Sequence, residues 1–222
     1  MNRWVQCALV ATALCLAACT GSLFRSHASA TAYMLSPEPA SHAEPAPAPG
    51  GPAGGGPAAE IPVDLAVLKP KARPGLESER IAVLYPDRRL DYFADARWSG
   101  PLGEVLQELA VQEFHLHANL RTVSGDASVF ASAYWLEIEI TDFQAEYTSA
   151  ATAPTVRVSL RARLGSSGDR HLVGQFAATV QRPAAENRLS SIVDAFASAA
   201  DASLTEIAAQ AGEKLARVSE TR

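Results

Sequence analysis

The sequence AYWLEIEIT at residues 133–141 is the most informative about the fold, because apolar and polar side chains alternate along it. Successive side chains of a β-strand point to opposite faces of the sheet. One face carries Tyr134, Leu136, Ile138 and Ile140, and the other carries Trp135, Glu137, Glu139 and Thr141. The apolar positions then shift by one residue to Phe143, Ala145 and Tyr147, which predicts a β-bulge near residues 141–142. We therefore expect a long strand with one buried and one polar face.

Two more strands follow. Residues 155–164 place apolar side chains at every second position, and residues 171–180 carry a second apolar face. The sequence GSSGD at residues 165–169 predicts a turn, so the two strands are expected to be antiparallel neighbours. The outward-pointing arginines are Arg157, Arg161 and Arg163. Pairing with Glu137 and Glu139 across the strands is their simplest interpretation; binding of an acidic partner or a lipid headgroup is the alternative.

The chain before residue 133 predicts further strands and one helix. Alternating apolar residues at 61–67, the run RIAVLY at 80–85 and the run LDYFA at 90–94 each predict a strand. Ser99-Gly100-Pro101 then begins a helix whose apolar side chains recur at helical spacing and which ends near Asn119.

The longest helical pattern lies near the C-terminus. Between Leu189 and Val218, apolar side chains recur at helical spacing and many of them are alanine, which predicts a long amphipathic helix lying close to a sheet. The order strands, helix, three strands, helix predicts an α+β fold. We expect residues 61–222 to form a single domain, with a mostly antiparallel sheet and two helices packed on one face. A domain of this size forms a core without disulfides or metal.

The first residues resemble an export signal. Residues 1–3 carry one positive charge, and VQCALVATALCL at residues 5–16 is too short for a membrane-spanning helix, which needs ~20 apolar residues. Leu16-Ala17-Ala18-Cys19 resembles the bacterial lipobox. We therefore predict that residues 1–18 are a lipoprotein signal peptide and that Cys19 is lipidated. The alternative is an ordinary secretory signal that is cut nearby.

The cysteine count favours lipidation of Cys19. Cys7 and Cys15 lie inside the predicted signal peptide, so the mature chain would keep one cysteine and no internal disulfide. Each buried methylene of an acyl chain contributes ~0.8 kcal/mol, so several chains anchor a protein firmly. Thr20 follows the cysteine, where an aspartate would signal retention in the inner membrane. We therefore expect a lipid anchor in the outer membrane and a domain that faces the periplasm.

Residues 19–60 differ in composition from the rest of the chain. They are rich in proline, alanine, glycine and serine and contain few of the apolar residues that a core needs. We interpret this region as the lipidated N-terminus and a tether. If residues 33–35 form a first strand, residues 37–60 are a surface loop and the tether is confined to residues 20–30.

The sequence carries no recognisable catalytic or cofactor motif. The net charge of -5 gives no support for nucleic-acid binding. His115 and His117 are two residues apart, whereas a metal-binding pair on a helix needs a spacing of four. Neither a Gly-x-Ser-x-Gly motif nor a phosphate-binding loop occurs. We expect no enzyme activity, metal or cofactor; a hydrolase that uses Glu137, Glu139 or His171 is a rival hypothesis.

The segment LDYFADARWSGP at residues 90–101 combines aromatic and charged side chains just before the first helix. Tyrosine, tryptophan and arginine are enriched in the hot spots of protein interfaces. Tyr92, Arg97 and Trp98 are therefore candidate partner-interface residues. The alternative for Tyr92 and Trp98 is that they fill the end of the core.

Four segments occur in an order typical of one lipoprotein family. They are Tyr33-Met34-Leu35, PKARPGLESERIAV at residues 70–83, LDYFADARWSGPL at residues 90–102 and LEIEITDF at residues 136–143. This series resembles the ABC-type transport auxiliary lipoproteins, a family that includes lipoproteins of the PqiC/YmbA type. The resemblance covers nearly the whole mature chain, and the long Pro/Gly-rich stretch at residues 37–60 departs from it.

The resemblance implies a periplasmic lipoprotein that serves an ABC transporter with an Mce-domain protein in lipid movement between membranes. It implies no catalysis and no nucleotide binding, and it implies that several copies assemble into a ring. The expected partners are thus an Mce-domain protein, the membrane through the lipid anchor, further copies of the chain, and phospholipid. The alternative function is an activator or scaffold of another envelope machine, in cell-wall synthesis or secretion.

Overall fold

The structure is a computed structural model that describes residues 30–36, 60–125, 131–149 and 152–220. These residues contain nine strands and two helices. The strands are β1 (Thr31–Tyr33), β2 (Ile61–Val67), β3 (Lys71–Ala72), β4 (Arg80–Leu84), β5 (Leu90–Trp98), β6 (Leu120–Ser124), β7 (Tyr134–Glu146), β8 (Thr155–Ser166) and β9 (Leu172–Pro183). The helices are α1 (Leu102–His117) and α2 (Leu189–Glu220).

β7 is the central strand of the sheet, and its alternating pattern is confirmed. It pairs with β8 in antiparallel register, and β8 pairs in the same way with β9. The register between β7 and β8 shifts between Ile140 and Asp142, which confirms the predicted bulge. The shift keeps Phe143 and Ala145 on the buried face, so both halves of β7 contribute to one core.

The other edge of β7 pairs with three short strands in succession. β2, β3 and β4 all run parallel to it, with Leu65 opposite Tyr134, Lys71 opposite Glu139 and Val83 opposite Ala145 as examples. β5 pairs antiparallel with β4, while β1 and β6 run parallel to β5 and β2. The long strands are thus antiparallel and the parallel pairings are short. The predicted α+β class is confirmed.

Four details differ from the sequence-based expectation, and one of them is the two-residue strand β3, which the sequence did not predict. Four strands lie between the helices instead of three, because β6 follows α1 after Asn119, which has a φ of 48° that ends the helix. β5 continues past Ala94 to Trp98, through Asp95 with a φ of 54°. The first strand is Thr31–Tyr33, two residues before the expected 33–35.

Both helices pack on the same face of the sheet, as expected. α2 crosses β8 and β9 and buries an alanine-rich stripe, which lets the helix approach the sheet closely. At Gly212 a Cβ would lie only 3.2 Å from the backbone of Ala118, so this glycine permits the close contact of α2 with the end of α1. The opposite face of β7, β8 and β9 carries no helix in the described part of the chain.

The helices α1 and α2 are amphipathic, with charged and polar residues on their outer sides. Among the residues that the structure describes, neither helix is long and apolar enough to cross a membrane.

Candidate functional site

The residues predicted for lipidation lie outside the part of the chain that the structure describes. These are Cys19 and the lipobox residues Leu16, Ala17 and Ala18. Their role stays a prediction.

Trp98 lies in the core. Its side chain is 1% exposed, and its ring contacts Phe143 and Phe196 at centroid distances of 5.8 Å and 5.2 Å, edge to face in both cases. Such pairs stabilise a core beyond the area that they bury. Trp98 therefore joins β5 to β7 and α2, which agrees with the alternative that the sequence left open for it.

Tyr92 and Arg97 reach the surface in part. The hydroxyl of Tyr92 donates a hydrogen bond to the carbonyl of Gly75 at 2.8 Å, and the guanidinium of Arg80 lies 3.8 Å above the centre of the tyrosine ring. Arg97 donates from Nη1 to a carboxylate oxygen of Glu79 at 2.8 Å. These side chains form a small aromatic and charged surface on β4 and β5. That a partner contacts this surface stays a prediction.

The predicted pairing of acidic and basic side chains across the strands holds for Glu137. Its carboxylate accepts from Lys71 Nζ at 2.7 Å and from Arg163 at 2.8 Å. The hydrogen bond from Lys71 is the main cause that keeps the pKa of Glu137 below its usual value, and Arg163 acts in the same direction. Glu137 therefore stays ionised at neutral pH, which suits an ion pair better than a catalytic acid.

Glu139 behaves differently from Glu137. It lies directly opposite Arg161 in the register of β7 and β8, yet the two side chains form no ion pair. Glu139, Arg161 and Arg163 line a shallow depression of about 530 Å³ together with residues 175–177 of β9. This part of the face thus offers charges of both signs to the solvent.

His171, a residue of the rival hydrolase hypothesis, lies in the exposed turn between β8 and β9. Its Nδ1 is 2.7 Å from a carboxylate oxygen of Asp169. Hydrogen bonds from Ser166 first and from His171 second lower the pKa of Asp169 to about 2. In the described residues no three His, Cys, Asp or Glu side chains come together in a way that could hold a metal ion.

The sequence pattern did not reveal a groove beside Trp135 on the helix-free face. The groove has a volume of about 550 Å³. Its lining residues are Ala66, Leu68, Ala131, Ser132, Trp135, Glu137 and Ser167. Trp135 lies opposite Gly165 in β8, and a Cβ at Gly165 would overlap the indole ring. The bare backbone of Gly165 therefore lets the indole lie flat on the sheet and form one wall of the groove.

A local signal for this groove does exist in the sequence. Trp135 is the one large aromatic residue among the outward side chains of β7, and Gly165 ends the alternation of β8. Finding the groove from these residues requires the register of β7 with β8, which a single-strand pattern does not supply. The groove can bind an apolar or aromatic group by contact, with the paired carboxylate of Glu137 at its margin.

Comparisons with known proteins agree with this architecture. Protein XCC0632 from Xanthomonas campestris, of the family DUF330, is similar in structure with a TM-score of 0.66 and 23% sequence identity, over 86% of this chain and 96% of that chain. A second solved structure, of an uncharacterized protein, matches with a TM-score of 0.52 and 16% identity, over 72% of this chain and 95% of that chain. At these identities the likeness concerns the fold. No protein of curated function matches the chain significantly.

A family model matches most of the chain. Its description is ABC-type transport auxiliary lipoprotein component, and the match runs from residue 43 to residue 208. It includes all strands from β2 to β9, α1 and the greater part of α2. The chain therefore belongs to the family of ABC-type transport auxiliary lipoprotein components.

Proposed function

We propose that this protein is a lipid-anchored auxiliary subunit of an ABC-type transport system that contains an Mce-domain protein, and that it serves lipid movement between membranes. The observation that supports this proposal is the family match over residues 43–208. Family membership by itself indicates a lipoprotein of the cell envelope that assists ABC-type transport. The Mce-domain partner and the lipid cargo are our extension of it.

The proposed anchor is Cys19, with its acyl chains in the outer membrane and the domain in the periplasm. The lipobox Leu16-Ala17-Ala18 precedes it, and Thr20 follows it where an aspartate would signal inner-membrane retention. The anchor would hold the domain close to the membrane, where it could contact a partner that lies in the periplasm. The protein would then act by contact and would not need a catalytic group.

The helix-free face is the proposed contact surface for the partner or for phospholipid. It presents the groove of Trp135, with apolar walls from Ala66 and Leu68, next to the ion pairs of Glu137. Apolar surface bounded by charged groups is typical of protein interfaces and of lipid-binding surfaces. The opposite face of the sheet is not accessible to a partner, because α1 and α2 already cover it.

Assembly of several copies is part of the proposal. β9 is a 12-residue strand that pairs with β8, and in the described part of the chain nothing pairs with its other edge. An unpaired edge exposes backbone donors and acceptors to a further strand. We expect native mass spectrometry of the detergent-solubilised protein to give a multiple of the chain mass; a monomer at micromolar concentration would contradict this part.

Affinity purification from solubilised envelopes tests the transport role. We expect the tagged full chain to recover an Mce-domain protein together with its permease and ATPase. The substitution Ala131→Arg at the rim of the groove should reduce this recovery at least several-fold. Ala185→Arg, at an equally exposed alanine in the turn before α2, is the matched control and should leave recovery unchanged.

The same purification also distinguishes the transport role from the alternative function. Consistent recovery of cell-wall synthesis enzymes or secretion components, without an Mce-domain protein, would favour an activator or scaffold of another envelope machine. Equal recovery with Ala131→Arg and Ala185→Arg would leave the transport role in place but would remove the groove from it.

A further inference from the structure

Glu113 is an acidic residue in the interface between the two helices. It lies on α1, and its side chain is 1% exposed. One carboxylate oxygen, Oε2, accepts from the hydroxyl of Thr205 on α2 at 3.0 Å and lies 3.2 Å from Nε2 of His117. The other oxygen, Oε1, is buried and has no hydrogen-bond partner. A buried carboxylate oxygen without a donor is costly, so this arrangement needs an explanation.

The position of Asp201 helps to explain this unpaired, buried carboxylate oxygen. Asp201 lies four residues before Thr205, so both side chains are on the same side of α2. Asp201 is close enough to the Glu113 carboxyl to raise its pKa. Two carboxylates cannot donate to each other, whereas a carboxylic acid donates to a carboxylate. A proton on Glu113 would therefore remove the repulsion between the two groups and the negative charge of a buried carboxylate whose Oε1 has no donor.

We propose that Glu113 carries a proton in the folded chain and that this proton makes the contact between α1 and α2 dependent on pH. With the proton present, Glu113 is joined to α2 through Thr205 and is not repelled by Asp201. When the proton is lost, two negative carboxylates face each other across the helix interface, one of them buried. The interface then loosens, and the C-terminal part of α1 and the middle of α2, which it holds together, become more mobile.

The groups around Glu113 shift its pKa in both directions, and the net shift is upward. Burial is the main cause that raises its pKa, and Asp201 adds to this effect, while Thr205 and His117 oppose it. The charged residues of neighbouring strands are engaged elsewhere: Arg121 of β6 is paired with Asp64 of β2, and Lys71 of β3 is paired with Glu137. His117 is half-exposed and can offset a charge on Glu113 only when it is protonated.

The sign of the effect follows from linkage. Because the pKa of Glu113 is higher in the folded than in the unfolded chain, its favourable contribution is present at and below the unfolded value of 4.5 and is lost as pH rises through the folded value. The substitution Glu113→Gln keeps the shape of the side chain and has an amide donor for Asp201 that does not titrate. The variant and the wild type should therefore be equally stable at pH 4.5 and diverge at higher pH.

Thermal unfolding of the full chain in detergent tests this proposal between pH 4.5 and pH 8. We expect the Tm of Glu113→Gln to exceed that of wild type by roughly 2–4 °C near neutral pH, with the excess vanishing towards pH 4.5. Glu108→Gln, at an exposed glutamate of the same helix, is the matched control and should show no such divergence. In the background of Glu113→Gln, the further change Asp201→Asn should add nothing to the Tm, since the repulsion is already absent.

Hydrogen exchange gives a local measurement. Amide protection at residues 110–118 and 198–208, corrected for intrinsic exchange rates, should fall as pH rises in wild type and should stay constant in Glu113→Gln. Protection in β7 and β8 should be the same in both. A Glu113→Gln variant that is less stable at every pH, or an interface whose protection changes with pH equally in both proteins, would overturn the proposal.

Discussion

At the scale of single residues, two tryptophans on the sheet have opposite roles. Trp98 is enclosed by Phe143 and Phe196 and supports the core. Trp135 is partly exposed and forms a wall of the groove, because Gly165 leaves room for its ring. The difference is caused by the neighbours that the fold brings to each ring. It predicts that substitutions at the two positions affect different properties.

Replacement of Trp98 by alanine should lower stability strongly. Removing a large buried aromatic side chain costs about 3–5 kcal/mol, because the transfer energy is lost and a cavity remains. Thermal or urea unfolding measures this loss. Trp135→Ala is the comparison, and we expect a smaller loss there since that ring is partly exposed. If Trp98→Ala unfolds like wild type yet fails to bind a partner, the core role that we assign to Trp98 is wrong.

Substitution of Gly165 by alanine should displace the indole of Trp135. The added Cβ overlaps the ring, so the ring has to rotate away from the sheet at a cost of about 1–3 kcal/mol. We expect a red shift of tryptophan fluorescence together with the loss of stability. Gly168→Ala is the control, because a Cβ there meets nothing within 4 Å and both properties should stay unchanged.

At the scale of elements, the sheet is held by different forces on its two faces. Apolar side chains of β8 and β9 pack beneath α2, whereas the outer face is held in part by ion pairs such as that between Arg157 and Glu146, at 2.8 Å. Ion pairs with solvent access contribute little each, typically below ~1 kcal/mol. The helix-covered face therefore supplies most of the stability, and the outer face can vary in shape and charge to suit a partner.

The ion pairs of Glu137 should give a measurable pH dependence of stability. Its pKa is lower in the folded chain than in the unfolded chain, so its contribution is present above the unfolded value of 4.5 and is lost as pH falls below it. Glu137→Gln should lower the Tm slightly at pH 7 and have no effect at strongly acid pH. Glu139→Gln, at the neighbouring outward position without an ion pair, should change the Tm at neither pH; equal effects of the two substitutions would contradict this account.

At the scale of the whole molecule, the family match and the open sheet face support a protein that works by holding and contacting other components. A domain anchored at one residue samples a limited volume beside the membrane, which raises its effective concentration for a partner in that volume. The proposed anchor and the proposed contact surface are then separate requirements for function, and each can be tested without the other.

Loss of the anchor should release an intact domain. We expect Cys19→Ala to move the protein from the membrane fraction to the soluble fraction, because the acyl chains that hold it are no longer attached. The melting temperature of the released domain should equal that of wild type. Mature wild-type protein with an unmodified Cys19 by mass spectrometry would exclude the lipid anchor and weaken the proposed role.

The elements that could be predicted are those whose periodic pattern reports a buried face. β7 with its bulge, the β8–β9 hairpin and α2 each carry a side-chain repeat that a local stretch of chain contains completely. β3 could not be predicted, since it has only two residues, and β6 was missed because its apolar residues Leu120 and Val123 are three apart and do not alternate. Among the candidate sites, the lipobox can be found in the sequence. The groove cannot, because it depends on Trp135 and Gly165 being adjacent across two paired strands.

The longer strands and helices, their apolar faces and the predicted anchor at Cys19 could be inferred from the sequence, because these features depend on residues close together in the chain. The tertiary structure was needed to show that β2, β3 and β4 line up along one edge of β7, that Trp98 is enclosed, and that Glu113 is buried against Thr205 of α2. These contacts join residues far apart in sequence. Their energies depend on packing and desolvation, which exist only once the helices and the sheet have come together.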